Sequence, residues 1–263
     1  FLMGAFFIGG QVYEYAGRTF APSRGIRPTD QLYYLGWHKQ IQPGLNYVGI
    51  WVENGRIKDF DGGPRFKSGL HAVVERFQPD MRATPHHNMI LANIPDADVD
   101  AVQAMLDEYG LPTDKNISPL RAREMACPAL PLCPLALAEA ERALPAIMAD
   151  LEALGHADAA VSIRMTGCPN GCARSATAEI GIVGSGKDRY VLQTGGDHNG
   201  TRLNMLFAED LKPGDLAPAI GRLLDLWKQH RASGEGFGTW SHRVGTAKLR
   251  EMAGYPADGK AGS

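Results

Sequence analysis

The chain has 263 residues, 44% hydrophobic and 21% charged, a globular composition that excludes a disordered chain or a coiled coil. Lys and Arg number 27 against 29 Asp and Glu, and the resulting formal charge of −2 excludes a global basic field of the kind that binds nucleic acid. The apolar run from Phe1 to Gly10 is far short of the roughly 20 residues a membrane span needs, and it carries no positive leader. We therefore expect neither insertion nor export, and a cytoplasmic chain.

Residues 1–30 are poor in periodicity and contain Ala21-Pro22-Ser23-Arg24-Gly25, so they read as a linker or the end of a truncated preceding domain. The opening residue, Phe1 rather than Met, fits a processed or cut terminus. Residues 31–112 read as one α+β unit. Asn46–Val52 is β-branched and aromatic, Asn54-Gly55 supplies a turn that tolerates positive φ, and Arg56–Phe60 returns as the second arm of a hairpin. Lys67–Phe77 spaces Leu70, Val73, Val74 and Phe77 helically. Strands follow near Met81–Thr84 and Asn88–Ile94, and Asp98–Tyr109 repeats a helical pattern that stops at Gly110.

Residues 113–245 form a second unit. Pro112–Met125 is loop-like. Leu135–Leu154 has an amphipathic stripe through Leu137, Ala140, Leu144, Ile147, Met148 and Leu151, with Pro145 kinking it or starting a second helix. Val161–Met165, Ala178–Val183 and Arg189–Thr194 read as strands. Asp215 is the expected cap of a helix carrying Leu216, Ile220, Leu223, Leu224 and Trp227. Residues 246–263 read as a flexible tail.

All four cysteines lie in this second unit, as Cys127-x5-Cys133 and, 34 residues on, Cys168-x3-Cys172. Disulfides are disfavoured in a chain with no sign of export. Zinc knuckles prefer two to four intervening residues, which one pair exceeds. Four unrelated buried thiols is the plainest alternative, and it leaves the close pairing unexplained. Pro128, Pro134, Pro169 and Gly171 fix or free the backbone beside the thiols, and Pro134 suits the first turn of a helix whose N-terminus would stabilise the Cys133 thiolate. The pattern favours a four-iron cluster, with zinc and unrelated thiols left open.

Cys127-Pro-Ala-Leu-Pro-Leu-Cys133-Pro-Leu-Ala-Leu-Ala-Glu-Ala-Glu-Arg142 and Met165-Thr-Gly-Cys168-Pro-Asn-Gly-Cys172-Ala-Arg174 resemble the siroheme-dependent sulfite and nitrite reductases, and among them the assimilatory sulfite reductase haemoproteins, or β-components. The resemblance runs from about Gly17 to Gly245 and includes Gly234-Glu-Gly-Phe-Gly238. It implies a ferredoxin-like half-domain followed by an α/β siroheme and iron–sulfur domain. It further implies that Cys127, Cys133, Cys168 and Cys172 ligate a [4Fe–4S] cluster, and that Cys172 is also the axial ligand of siroheme and so the catalytic residue. Six-electron reduction of sulfite to hydrogen sulfide is the implied reaction, with a flavoprotein supplying NADPH electrons, or ferredoxin in its place. A ferredoxin-dependent nitrite or sulfite reductase is the alternative within the family. A cluster-only electron carrier without siroheme and a zinc-stabilised binding module are the alternatives outside it.

Siroheme is rich in carboxylates, so Lys39, Arg56, Lys58, Arg65, Lys67, Arg82, Arg164 and Arg174 are candidate contacts. Arg82 and Asn88 stand out, because Arg82-Ala-Thr-Pro-His-His-Asn88 resembles a family strand at the siroheme face. His86-His87 departs from the family's usual pair, and on a strand only one of them would face a pocket. Asn170, inside the Cys168–Cys172 turn, is expected to hydrogen-bond around the cluster. The resemblance covers only the later half of such proteins, so the chain reads as a C-terminal fragment with little six-electron activity of its own.

Overall fold

A computed structural model describes residues 34–197 and 200–260; the expectation for residues 1–30 lies outside them. Two sheets organise the chain. The first comprises β1 (Gly36–Lys39), β2 (Leu45–Ile50), β3 (Asp80–Ala83) and β4 (Met89–Pro95) in the order β1-β2-β4-β3, every pair antiparallel. Two helices, α1 (Phe66–Phe77) and α2 (Val99–Glu108), cover one face. Val48 and Ile50 of β2, Leu91 and Ile94 of β4, Phe66, Leu70 and Val73 of α1, and Val102 and Leu106 of α2 form its core. This is an α+β unit, as expected.

Asn54-Gly55 turns the chain with positive φ (50° and 75°), but no hairpin results. Both edges of β2 are already taken, by β1 and by β4, so Glu53–Gly55 closes a single 3-10 turn and the chain leaves the sheet. His86 and His87 fall in the turn between β3 and β4 rather than on a strand.

The second sheet runs β5 (Glu124–Ala126), β6 (Ile163–Thr166), β7 (Ile180–Gly186), β8 (Arg189–Thr194) and β9 (Met205–Leu211) in sequence order. Pairing is parallel from β5 to β7 and antiparallel from β7 to β9. Packed with it in one core are α3 (Leu144–Ala153), α4 (Pro213–His230), α5 (Phe237–Val244) and α6 (Thr246–Ala253). Among the described residues no helix is long and apolar enough to cross a membrane.

Three expectations are corrected here. The stripe over 135–154 becomes a helix only from Leu144, with Pro145 in its first turn. The preceding residues spend their amide groups elsewhere: Leu137 and Ala138 donate to the Gly167 carbonyl and Glu141 to that of Cys127. Cys133 and Pro134 accordingly sit in a turn and not at a helix N-terminus. The α4 helix starts at Pro213, and Asp215 lies inside it, its carboxylate accepting the Lys212 amide at 2.9 Å.

The stretch expected as a tail is ordered structure. Leu249 and Ala253 of α6 are buried in the second core. Arg250 donates to the Phe207 and Leu206 carbonyls of β9 at 2.8 and 3.1 Å, and the Glu209 amide donates to Gly259 at 2.8 Å. Truncating Leu249 to Ala is expected to lower unfolding free energy by about 2–5 kcal/mol, as for other buried leucines. Urea denaturation of the two chains checks this, and a change near zero would return α6 to the status of a tail.

Candidate functional site

Cys127 directly follows β5 and Cys168 lies two residues after β6, so both cysteine pairs leave the carboxyl ends of adjacent parallel strands. That end of an open parallel sheet is where α/β folds bind ligands, because the loops there diverge around a crevice. The two loops are laced together at Gly167. Its amide donates to Cys127 Sγ at 3.3 Å, and its carbonyl accepts Leu137 and Ala138 at 2.8 and 3.0 Å. A Cβ on Gly167 would stand 2.6 Å from the Ala129 Cβ and the Ala138 carbonyl oxygen, so only glycine fits.

Cys127 and Cys168 are buried, Cys133 is half-buried and Cys172 is exposed. Burial pushes the Cys127 thiol up, while the Gly167 and Ala129 amides pull it back. Cys172 and Cys168 act in the same direction as burial. Among the described residues no three donors converge as closely as a single metal ion requires. A cubane carries its irons at four corners and holds thiolates more widely, wrapped by amides in an apolar shell. The donor set and its setting fit such a cluster: four thiols, a peptide amide on one of them, and Ala126, Ala129, Ala138, Met165 and Ala173 buried around them.

The other expected site residues separate into two places. Asn170 is exposed in the Cys168–Cys172 turn, where Gly171 has a φ of 69°. Asn88 is buried, and its side-chain oxygen accepts the Val52 amide at 3.1 Å, which ties β4 to the end of β2. Arg82 is exposed on β3, 3.4 Å from Asp80, in a groove of about 320 Å³ that it shares with Tyr34, Lys39 and Tyr47 and with none of the cysteine loops. Lys39 pairs with Asp96, Lys58 lies 4.4 Å over the Phe60 ring, and Arg65 lies 4.4 Å over Tyr109.

Arg174 is different. Its φ of 55° follows the second cysteine pair, and its guanidinium donates to the Pro85 carbonyl at 2.7 Å, joining the Cys168–Cys172 loop to the β3–β4 turn. His87 of that turn is packed against Gly55, and burial together with the Arg174 and Arg164 charges pushes its pKa below the usual imidazole value. The imidazole is neutral at pH 7, in a surrounding that is positive on two sides.

Sequence reasoning passed over an acidic cluster beside β5. Arg121 pairs with Glu152 at 2.9 Å and with Glu53 at 3.6 Å, and Ser118 donates to Glu152 at 2.6 Å. Glu124 lies among them with both carboxyl oxygens buried and without a hydrogen-bond partner. One guanidinium cannot balance three carboxylates, and burial pushes Glu124 up to about 8, helped by Glu53 and Glu152 against the pull of Arg121. Its only sequence signal was a glutamate at an inward position of a strand too short to recognise.

Comparison with known proteins gives the family. Residues 38–109 match the nitrite/sulfite reductase ferredoxin-like half domain, and residues 121–259 match the nitrite and sulphite reductase 4Fe-4S domain. The chain is 39% identical over 240 residues to a sulfite reductase [NADPH] hemoprotein beta-component of Vibrio cholerae, covering 89% of this chain and 41% of the relative. The protein of the same name from Methylobacterium radiotolerans is 44% identical over 214 residues, covering 80% and 34%. The chain thus spans about two fifths of the length of such relatives. Among solved structures, the Mycobacterium tuberculosis NirA protein superposes with a TM-score of 0.69 at 26% identity, over 94% of this chain and 47% of that one. Dissimilatory sulfite reductase I shares the fold, with a TM-score of 0.58 at 12% identity, over 81% of this chain and 69% of that one.

The unpartnered carboxyl of Glu124 has a consequence for stability. Its folded-state pKa is raised from 4.5 to about 8, so the cost of ionising it is absent below pH 4.5 and grows as pH rises to 8. Glu124→Gln is expected to come close to the unmodified chain at pH 4 and to exceed it at pH 8, by on the order of a few kcal/mol. Urea midpoints at the two pH values check this, and a difference that does not change with pH would contradict it.

Proposed function

The chain belongs to the nitrite and sulfite reductase family, and we propose that it forms the cluster- and haem-bearing portion of a sulfite reductase. The reaction is the six-electron reduction of sulfite to hydrogen sulfide, with electrons from a flavoprotein that oxidises NADPH, or from ferredoxin, in the cytoplasm. The observation that carries this reading is the set of four thiols leaving two adjacent parallel strands and laced together at Gly167. The names of the relatives favour sulfite over nitrite and NADPH over ferredoxin as the source of electrons.

In this reading Cys127, Cys133, Cys168 and Cys172 would hold a [4Fe–4S] cluster, and Cys172 would also hold siroheme. Cys172 suits that double role because it is the exposed member of the four, open to a second group. The coupled siroheme and cluster supply the redox chemistry when bound, and the protein supplies ligation, electrostatics and protons. Cys127, buried and bonded to the Gly167 amide, anchors the inner side of the site. Arg164 and Arg174 make the space around His87 positive, which suits the carboxylates of siroheme and an anionic substrate. Arg174 also keeps the β3–β4 turn against the second cysteine loop through Pro85. Asn88 serves by holding the strand ends in place, and Arg82, on β3 and apart from the cysteine loops, drops out of the site.

Anaerobic purification followed by absorption spectroscopy and iron and acid-labile sulfide analysis tests the proposal. We expect haem bands with about five irons per chain, four from a cubane and one from the haem. Cys172→Ser is expected to lose the haem bands and Cys127→Ser the acid-labile sulfide. Broad iron–sulfur absorption without haem in the unmodified chain would favour a cluster-only carrier, and zinc without iron would sink both.

A further inference from the structure

Arg56 and Glu141 lie in irregular segments, one in the unit of the first sheet and the other in that of the second. Arg56 follows the Asn54-Gly55 turn that leaves β2, and Glu141 lies in the irregular run between Cys133 and α3. The guanidinium grips both carboxylate oxygens, Nε on Oε1 and Nη2 on Oε2. A two-pronged contact of this kind fixes direction as well as distance. The Glu141 side chain is 8% exposed and that of Arg56 34%, so the carboxylate is the buried partner. Asn54 adds a third tie, its Nδ2 donating to the Glu141 carbonyl at 3.1 Å.

The opposite side of the same residue reaches the thiols. Glu141 donates its amide to the Cys127 carbonyl at 3.1 Å. Three and four residues earlier, Ala138 and Leu137 donate to Gly167, the neighbour of Cys168. The run 137–141 therefore bonds to the main chain at both cysteine pairs, while Arg56 holds it from outside. From the second sheet the Tyr190 hydroxyl also donates to the Glu139 carbonyl at 2.9 Å, and Ala138 and Ala140 are buried. No regular structure forms in this run. Its helical periodicity is overridden, and its amides are spent on the cysteine loops.

We propose that Arg56 and Glu141 are positioning residues: their ion pair fixes the 137–141 run, and through it the first sheet sets the placement of Cys127 relative to Cys168. The inference rests on the reading of the four thiols as cluster ligands. A cleft of about 410 Å³ opens beside the pair, lined among others by Lys58, Phe60, Pro128, Leu132 and Arg142. Water reaches the Arg56 side of the contact from this cleft, so shortening Arg56 leaves no dry cavity.

Hydrogen exchange on the iron-free chain, compared with Arg56→Met, Arg56→Lys and Glu141→Gln, tests the clamp. We expect the amides of Leu137, Ala138 and Glu141 to exchange about tenfold faster in Arg56→Met, with β7 and β8 unchanged, since exchange reads local opening separately from global unfolding. Arg56→Lys, which keeps the charge and one hydrogen bond, should recover part of that protection. Unchanged exchange, or acceleration spread evenly over the second sheet, would overturn the clamp. After anaerobic iron loading and reduction, the electron paramagnetic resonance g values of the Arg56→Met and Glu141→Gln clusters should shift from those of the unmodified chain. Unshifted g values at full iron content would overturn the link to thiol placement. Failure of the unmodified chain to take up iron would instead sink the cluster reading and leave exchange to decide on the clamp.

Discussion

Two stretches of chain some forty residues apart meet across a residue with no side chain. Gly167 donates to Cys127 Sγ, accepts Leu137 and Ala138, and leaves no room for a Cβ between Ala129 and Ala138. Behind it, a Cβ on Gly184 of β7 would come within 2.5 Å of the Gly167 carbonyl oxygen, so the approach is tight on both sides. Both cysteine pairs inherit their places from this contact. The parallel strands aim the loops, the glycines let them touch, and the amides at the touching point are the polar groups the sulfur environment requires.

Buried carboxylates elsewhere show what satisfied burial looks like. Glu179, next to the start of β7, accepts the Ser162 amide at 2.9 Å and the Gly238 amide at 3.0 Å, which fastens the first turn of α5 to the sheet. Burial pushes its pKa up, and those hydrogen bonds pull it back. Glu124, on β5 two strands away, has no such donors and sits among like charges. The two differ in whether backbone donors oppose the effect of burial on the acid. Gly238 belongs to the Gly234–Gly238 motif, and its missing Cβ lets the Gly196 carbonyl approach.

Much of this was legible in the sequence where local pattern and tertiary role agree. The helices α1, α2 and α4 show their apolar faces at helical spacing, and Arg189–Thr194 reads as a strand with the bounds it has in the fold. The four cysteines were legible because their flanking prolines and glycines restrict the loops that carry them. What stayed hidden depends on distant partners. The three residues of β5 form a strand only because β6 lies alongside, and 135–143 looks helical until its amides find Gly167 and Cys127. The α6 segment, Thr-Ala-Lys-Leu-Arg-Glu-Met-Ala, buries two side chains and reads as a polar tail by composition. Arg82 and Asn88 were chosen by likeness, and register puts one on an exposed strand and the other into a main-chain tie.

The change of pairing at β7 divides the sheet. The strands β7 and β8 follow one another closely and pair antiparallel across a short loop, whereas the parallel pairing of β6 and above all of β5 needs longer connections. Loop-closure entropy delays such distant parallel contacts in a folding chain. The connection that carries the second cysteine pair, from β6 to β7, is much shorter than the crossover from β5 to β6 that opens with the first pair. The entropic cost of assembling four thiols in one place therefore falls mostly on the first pair, whose strand has the longest stretch of chain to bring back.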